Sequence, residues 1–315
     1  MSFSLLHNEK INLGRWDNCI NTSINGSIFA FSWYLEAIDD DWHGLIWDDY
    51  KYVMPLFHYI SGSRKFFYTP RLIPKLGVFS ANLLTEKNTK QFLDYLNEEG
   101  SLSHIALSKF NKLPPELGQG LKNIQTYEMD LINFYNTYFN NYHKKVKEDL
   151  RRSIKNNIFV TKGISFQSYY KFLEKAQSFP KIRKRQKNQL KKLLPKLIKN
   201  NLADIYGAFT HKNELCATGL FVRSRPKNHL LLASTLTRGV KNNALTLIID
   251  RFIESNSEKK QTLSLDALSK NRKEFPNPAQ MGFQPYYSYL YQPQKIPLIY
   301  QKKLKQYDAY FKRKK

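Results

Sequence analysis

The strongest constraint on the fold is an ordered series of strand and helix signals in the last third of the chain. Three apolar runs separated by short polar turns predict antiparallel strands at residues 203–210, 215–223 and 229–235. An amphipathic helix is predicted over residues 244–253, and further strands over 262–265 and 285–291. Because a helix here connects strands of one sheet, the pattern predicts an α/β fold with mixed (α+β) sheets.

The first part of the chain carries its own strand and helix signals. A short helix at 31–38 precedes two strand-like runs, 42–47 and 51–59, which predict a hairpin with acidic residues at its turn. Composition and charge change near residue 140. We therefore predict an N-terminal domain at 1–140, a C-terminal domain at 141–295 and a basic tail at 296–315.

Charge is distributed unequally along the chain. The protein holds 50 Lys and Arg against 26 Asp and Glu, a net charge of +24. Residues 1–135 contain 12 basic and 15 acidic side chains, whereas residues 136–315 contain 38 and 11. This asymmetry favours a polyanionic partner for the second half: nucleic acid, a phosphorylated substrate, a phosphate-rich cofactor or an anionic surface. The alternative is the lysine-rich composition of an AT-rich genome, although that bias does not explain an acidic first half.

Two basic helices are predicted in the second half, at 134–157 and 183–200, and Pro195 is expected to kink or split the second. Arg151, Arg152 and Lys155 roughly share one face of the first helix. They are candidates for binding the phosphates of tRNA or another RNA. An ordinary solvated helix face is the alternative.

Several classes of protein lack support in the sequence. No run of 18 apolar residues is present, and the first ten residues lack the basic segment of a signal peptide. Two distant cysteines, Cys19 and Cys216, suit a reducing compartment. We therefore expect a cytoplasmic protein without a transmembrane segment. The seven histidines are isolated along the chain, and Walker and dinucleotide-binding glycine motifs are missing, so we predict no metal centre and no P-loop.

The best candidate for a ligand site is the segment Arg238, Gly239, Val240, Lys241, Asn242, Asn243 and Ala244. It follows a predicted strand and opens a predicted helix, and the free N–H groups at such a position bind phosphate or pyrophosphate. Gly239 permits a tight turn, Lys241 adds a charge, and an asparagine can cap the helix. The alternative is an ordinary capped helix after a strand.

An aromatic group lies close to the predicted hairpin. Trp33, Tyr34 and Trp42 are candidates for lining an acceptor pocket. Core packing is the alternative for all three, because aromatic side chains at this density commonly fill a core. Cys216 lies inside an apolar run and is predicted to be a buried packing residue.

Short motifs distributed over residues 10–290 carry a resemblance to a known group of proteins. In the first half they are Arg15-Trp16-Asp17, Ser23-Ile24-Asn25-Gly26, Ser32-Trp33-Tyr34-Leu35, Trp42-His43-Gly44-Leu45 and the stretch 49–56. In the second half they are the stretch 217–221, Leu232-Ala233-Ser234-Thr235, Asn243-Ala244 with Asp250, Leu265-Asp266 and Gly282-Phe283. Together they resemble GNAT-superfamily acyltransferases related to the FemABX-like peptidyltransferases, of the tandem type common in Bacteroidetes.

The resemblance implies two GNAT-like domains in tandem, of which the C-terminal one is the acyltransferase domain. It also implies an acyl donor, which is acyl-CoA such as acetyl-CoA in GNAT proteins and aminoacyl-tRNA in FemABX-like enzymes. GNAT proteins hold the CoA pyrophosphate on a loop of the form Arg/Gln-x-x-Gly-x-Gly/Ala. Here Arg238 and Ala244 match that loop, while Lys241 and Asn243 replace the glycines.

The mechanism that the resemblance implies aligns an amine with a thioester or ester and stabilises the oxyanion through backbone N–H groups. A base or water then takes the amine proton. Asp266, at a predicted strand end, and Tyr287, on the last predicted strand, are the candidates for this proton transfer. The alternatives are a helix N-cap for Asp266 and a core or rim aromatic for Tyr287.

The sequence thus favours a GNAT-type N-acyltransferase with a small-molecule or peptide amine as acceptor. The competing prediction is a non-catalytic RNA- or polyanion-binding protein on a degenerate GNAT fold. An open cleft where the central strands separate beside residues 238–244 would favour the enzyme. A filled cleft and a continuous basic surface would favour the binding protein.

Overall fold

The computed structural model describes residues 2–62, 64–98, 102–179, 182–265, 277–293 and 295–297. The chain divides into two units by its internal contacts. Unit 1 comprises Met1–Ile124 and Tyr287–Lys315, and unit 2 comprises Gln125–Tyr286. Each unit combines helices with a mixed sheet, so the predicted α/β fold class is confirmed.

The described residues of the two units form fourteen strands and nine α-helices. The strands are β1 (Phe3–His7), β2 (His43–Trp47), β3 (Tyr52–Ser61), β4 (Arg64–Tyr68), β5 (Phe79–Ser80), β6 (Leu102–Leu107), β7 (Leu121–Asp130), β8 (Phe159–Lys162), β9 (Gln177–Phe179), β10 (Ala203–Phe209), β11 (Leu215–Ser224), β12 (Lys227–Thr235), β13 (Thr262–Ser264) and β14 (Gln284–Tyr291). The α-helices are α1 (Leu13–Thr22), α2 (Ser32–Ile38), α3 (Glu86–Glu98), α4 (Tyr135–Asn141), α5 (Lys144–Lys155), α6 (Phe166–Lys175), α7 (Lys184–Lys199), α8 (Thr237–Lys241) and α9 (Ala244–Asn256). None of the helices in the described ranges has the length and apolar character that crossing a bilayer requires.

The sheet of unit 1 has the strand order β1-β2-β3-β4-β6-β14, with β5 paired to β3. Its neighbouring strands are antiparallel, except that β4 and β6 run parallel. The predicted hairpin is confirmed as β2 and β3. Leu45, Met54 and Leu56 on one face of this hairpin share a buried core with Phe92 and Leu96 of α3. Side chains two residues apart on β3, such as Met54 and Leu56, point to the same face of the sheet, and this face receives α3.

The sheet of unit 2 has the order β7-β13-β12-β11-β10-β8, with β9 paired to β12. Strands β12 and β13 are parallel and are connected through α9, which is the predicted crossover helix. Phe252 of α9 stacks on Phe221 of β11 with ring centroids 3.9 Å apart, and Tyr206 of β10 meets both rings edge-on. These aromatic contacts fix α9 on the sheet.

Two helix predictions differ from the structure. The helix predicted over 134–157 is divided into α4 and α5, because Tyr142 and His143 have extended backbone conformations. In contrast, α7 continues through Pro195, where a kink or split is expected from the sequence. Pro195 lies on the exposed side of α7. The carbonyl group that loses its helical partner there faces water, which can bond it instead.

The division into units also differs from the predicted domains. The chain enters unit 2 within β7 and returns to unit 1 within β14, where Tyr289 pairs with Leu107 of β6. The predicted boundary at 140 lies in α4, a helix of unit 2. Of the predicted tail, only residues 296 and 297 are described. Strand pairing decides which residues belong to one unit. The predicted boundary rests on composition and charge, which carry no information about strand pairing.

We expect Phe252→Ala to lower the free energy of unfolding by about 3–5 kcal/mol, because it empties a site where the ring is stacked on Phe221. Urea denaturation followed by circular dichroism measures this change. Phe134→Ala is the control, since Phe134 is 68% exposed, and it should cost less than about 0.5 kcal/mol. Similar costs for the two variants would contradict the packing described for α9.

Candidate functional site

The segment predicted as a phosphate-binding loop is helical in its first part. Leu236 alone separates β12 from α8, and α8 then contains residues 237–241. The open loop predicted from Arg238 onward is therefore a short helix. Its first three N–H groups, at residues 237–239, have no partner within the helix, so its positive end lies next to the end of β12. Lys241 is exposed and lies in the last turn, just before α9.

Gly239 allows α8 to lie directly against the sheet. A Cβ atom at this position would stand 2.3 Å from the carbonyl oxygen of Cys216 and 2.5 Å from Thr235 Oγ1. The backbone of Gly239 is not in the left-handed region, so its role is close packing and not the predicted tight turn. Cys216 is fully buried, as predicted, and burial raises the pKa of its thiol to about 11.

We expect Gly239→Ala to destabilise the protein by about 1–3 kcal/mol, because the new methyl group meets backbone atoms that have little room to move. Thermal unfolding and urea denaturation measure the loss. Gly118→Ala is the matched control, since a Cβ atom there has no neighbour within 4 Å. A stable Gly239→Ala variant would show that α8 does not pack as closely as described.

The second half of the predicted loop is held by α5. Ser153 Oγ donates a hydrogen bond to the carbonyl oxygen of Asn242 at 2.6 Å, and Asn156 Nδ2 donates to Asn242 Oδ1 at 2.7 Å. Asn243 Nδ2 donates to Asp149 Oδ1 at 3.0 Å. Asn243 has a φ of 52°, which asparagine tolerates, and so the chain turns into α9 without a glycine. Asn243 is the N-cap residue of α9, but its side chain makes no capping bond.

Arg151, Arg152 and Lys155 are exposed on α5, the same helix that holds the turn at Asn242. Ser153, which contacts Asn242, lies on the buried side of α5. Arg151 and Lys155 therefore lie on the opposite, exposed side of the helix. Lys241 is exposed in the same part of unit 2. This region is accordingly basic, with its acidic Asp149 engaged by Asn243.

A pocket of about 750 Å³ opens beside the amino-terminal end of α8. We call it the α8 pocket. It is lined by the β8–α6 connection, by one side of α6, by the ends of β10 and β11 and by the start of α8, through residues that include Gly163, Ser165, Lys171, Phe172, Lys175, Phe209, Leu215, Leu236 and Arg238. Its volume is within the usual range of ligand pockets, about 300–1,000 Å³.

The α8 pocket combines an apolar wall with charged side chains, of which three are basic and one, Glu174, is acidic. Lys171 and Lys175 are exposed on α6. Arg238 is partly neutralised, because it forms an ion pair with Glu214 and donates from Nη2 to the carbonyl oxygen of Leu215 at 3.1 Å. Phe172 supplies apolar surface. Such a lining can hold a ligand that has both an anionic and an apolar part.

The edge of β12 that faces away from β11 is shared by two strands. β13 pairs with β12 only at residues 227–229, and β9 pairs with it at residues 233–235. The hydroxyl groups of Ser234 and Ser178 are 3.1 Å apart in this second ladder. Within the described residues, β12 and β13 thus share three residue pairs, and β9 occupies the same edge of β12 at its other end.

The aromatic candidates of the acceptor pocket lie in unit 1. Tyr34 is fully buried, and its hydroxyl group donates to the carbonyl oxygen of Leu72 at 2.7 Å. Trp42 is also fully buried, with its ring centroid 4.9 Å from that of Trp16. Trp33 is half-buried against Tyr34. These contacts favour the core-packing alternative for Tyr34 and Trp42.

The two candidates for proton transfer are placed differently. Asp266 lies outside the described residues. Tyr287 lies on β14 in unit 1 and is 56% exposed, so it is not a core aromatic. The α8 pocket belongs to unit 2.

A buried carboxyl group was not predicted as a functional residue. Asp250 of α9 is 2% exposed and accepts a hydrogen bond from the Tyr135 hydroxyl at 2.9 Å. Burial raises the pKa of Asp250, and the Tyr135 bond opposes that change. The pair ties α4 to α9 and lines no part of the α8 pocket. Its sequence signal is an aspartate inside an otherwise apolar helix.

The expectation that all histidines are isolated is wrong for unit 1. His7, His43 and His58 lie side by side on β1, β2 and β3, close to Asp41. Strand pairing brings the three histidines together from distant positions in the sequence, so no short sequence motif predicts the cluster. Burial, together with the positive charge of Lys65 and the neighbouring His58, lowers the pKa of His43 to about 4.

Solved structures with the same architecture identify the fold. FemX superposes with a TM-score of 0.60 over 93% of this chain and 97% of its own, at 10% sequence identity. L-PGS from Bacillus licheniformis superposes with a TM-score of 0.52 over 89% of this chain and 92% of its own, at 12% identity. The protein has the fold that FemX and L-PGS share. At such identities the likeness extends to the fold alone.

The likeness to the fold of FemX agrees with the relation to FemABX-like proteins that the sequence motifs indicate. A tandem GNAT protein from the clavulanic acid biosynthesis pathway also aligns, with a TM-score of 0.48, 9% identity and coverage of 94% of this chain and 100% of its own. No family model matches the sequence, and no curated protein matches it either.

Proposed function

We propose that the protein transfers an acyl group to an amine, with the acyl donor bound in the α8 pocket of unit 2. The observation that carries the proposal is the position of this pocket: in a GNAT-like fold, it lies at the amino-terminal end of the helix that follows the central strand β12. The start of α8 at Arg238 and the charges of Lys171 and Lys175, all in the lining of the pocket, provide binding energy for an anionic donor.

The reaction needs no covalent enzyme intermediate. The amine nitrogen attacks the donor carbonyl, the new C–N bond forms, and the C–S or C–O bond to the donor breaks. The amine loses one proton and the leaving group gains one as it departs as a thiol or hydroxyl group, and a base or water can carry this proton. Alignment of the two reactants supplies much of the rate. In this proposal Asp266 and Tyr287 remain the candidates for accepting the proton.

We further propose aminoacyl-tRNA as the donor, with acyl-CoA as the alternative. Because β9 pairs with residues 233–235, a donor cannot extend between β12 and β13 along this edge and must enter the α8 pocket from the side of α6. Lys241 and Asn243 also replace the glycines of the CoA loop. The exposed Arg151, Arg152 and Lys155 add favourable charge for RNA.

The donor site is tested by reversing one charge in the pocket. Lys171→Glu places a carboxylate in the lining of the α8 pocket, so donor affinity should fall at least about tenfold, or about 1.4 kcal/mol. Calorimetry with acetyl-CoA and with a non-hydrolysable 3′-aminoacyl-adenosine that carries a 5′-phosphate measures the two donor classes separately, since both probes are then anionic. Lys241→Glu is the matched control, because it changes charge equally at an exposed position outside the pocket lining.

The pattern of binding decides among the proposals. If Lys171→Glu, but not Lys241→Glu, loses binding of the adenosine analogue, an aminoacyl-tRNA donor is supported. If Lys171→Glu, but not Lys241→Glu, loses binding of acetyl-CoA instead, acyl-CoA is supported. If both charge reversals leave every affinity unchanged, the α8 pocket is not the donor site. Binding of neither probe by the unsubstituted protein would contradict the proposed enzyme.

A second candidate function is RNA or polyanion binding without catalysis. The observation that favours it is β9, which occupies the space beside the end of β12 where the sequence analysis requires an open cleft for an enzyme. The basic region formed by Lys241 and the exposed cations of α5 would then be the binding surface. In this case the protein binds RNA and transfers nothing.

Replacing Arg151, Arg152 and Lys155 together by Ala tests that surface. Each phosphate contact contributes roughly 0.7–0.9 to the slope of log K against log salt, so the triple variant should reduce the slope by about two to three units. Fluorescence anisotropy with tRNA at several salt concentrations measures it. The control replaces three exposed lysines of unit 1, Lys10, Lys87 and Lys112, by Ala. Equal slopes in both variants would show that the α5 cations contact no RNA.

A further inference from the structure

Three histidines lie on neighbouring strands and on one face of the unit 1 sheet. His7 closes β1, His43 opens β2 and His58 lies on β3. His7 pairs directly with His43, and His43 pairs with Leu56, two residues before His58. Residues that are paired across strands or two apart along a strand share a face. The three imidazoles accordingly lie on the same side, with ring centroids 5.2 Å apart for His7 and His43 and 4.6 Å for His43 and His58.

A carboxylate completes the group. Asp41 precedes β2, and one ligand atom each from Asp41, His43 and His58 lie within 4.8 Å of one another. His7 Nε2 is 3.3 Å from Asp41 Oδ1. Asp41 is exposed, whereas His43 and His58 are half-buried. The group thus combines two fixed imidazoles with a carboxylate that reaches in from the surface.

The two half-buried imidazoles have ring nitrogens that the protein does not satisfy. Nδ1 of His43 and Nδ1 of His58 are both inaccessible to water and have no hydrogen-bond partner. Buried polar atoms in native proteins are nearly always paired, and an unpaired one calls for a cause. Two neighbouring imidazoles that each have such an atom, with ring centroids 4.6 Å apart and a carboxylate in the same group, indicate a partner that binds imidazole.

We propose that Asp41, His43 and His58 bind a divalent first-row transition metal ion, for which Zn²⁺ is the best match. Two imidazoles and one carboxylate are a donor set that Zn²⁺ accepts, with a fourth position left for water. His7 is a positioning residue, because it contacts Asp41 and orients its carboxylate. The site lies in unit 1 and does not depend on the proposed acyl transfer in unit 2.

Binding requires only side-chain movement. Tetrahedral Zn²⁺ has bonds of about 2.0–2.2 Å, which place its ligand atoms roughly 3.3–3.6 Å apart. The present separations of up to 4.8 Å close when the exposed Asp41 rotates towards the imidazoles. Lys65 acts on both histidines as a neighbouring positive charge and opposes a cation, while Asp39 and Asp41 act on His58 in the opposite sense.

The test uses tag-free, full-length protein treated with a chelator and then titrated with Zn²⁺ by calorimetry. We expect one ion per chain, and Co²⁺ in its place should give visible d–d bands of a low-coordinate site. The double variant His43→Gln/His58→Gln should lose the site, with at least a hundredfold weaker binding. His211→Gln is the control, since His211 is exposed on a turn of unit 2.

A milder variant keeps the test decisive if the double variant does not fold. Asp41→Asn alters only an exposed side chain, and we expect at least tenfold weaker binding and a smaller rise in melting temperature with Zn²⁺. Binding of Zn²⁺ that is unchanged in Asp41→Asn and in the double variant would place the metal elsewhere. Absence of one-to-one binding by the unsubstituted protein would overturn the proposal.

Discussion

The two edges of β12 organise unit 2. A strand can form backbone hydrogen bonds on only two sides, and β11 takes one side of β12 along its whole length. On the other side β13 pairs first and β9 pairs last. The chain leaves the end of β12 directly into α8 and returns through α9 to β13, which places the positive end of α8 at one end of the sheet. The α8 pocket exists because of this sequence of pairings.

Close packing then determines which parts of the GNAT-like loop remain available to a ligand. Gly239 brings α8 onto the backbone at Cys216, and Asn242 and Asn243 are held by α5. The asparagine side chains that the sequence offered as ligand contacts therefore have structural partners. In the proposed donor site, what remains available to a ligand is the start of α8 at Leu236 and Arg238 and the cations of α6. Binding by backbone groups is compatible with sequence variation in this segment.

Elements with a regular apolar pattern could be predicted from the sequence. The hairpin of β2 and β3, the strands β10 to β12 and the helix α9 are largely apolar runs bounded by polar turns, and such runs can be recognised locally in the sequence. Strand β9 has three residues and no period, so its pairing with β12 left no signal. The same holds for the histidine cluster, since its members come from three strands and meet only through the register of the sheet.

Unit 1 is made of two pieces of chain, with all of unit 2 inserted between them. Its β14 supplies the strand partner of β6 and places Tyr291 in the core, where its hydroxyl group donates to Asn97 Oδ1 at 2.9 Å. During synthesis at about 5–20 residues per second, β6 waits roughly 10–30 s for that partner while residues 125–286 are made. An unpaired strand edge can associate with other chains in that interval. Unit 2 can complete its sheet first, so unit 1, although it begins the chain, finishes folding last.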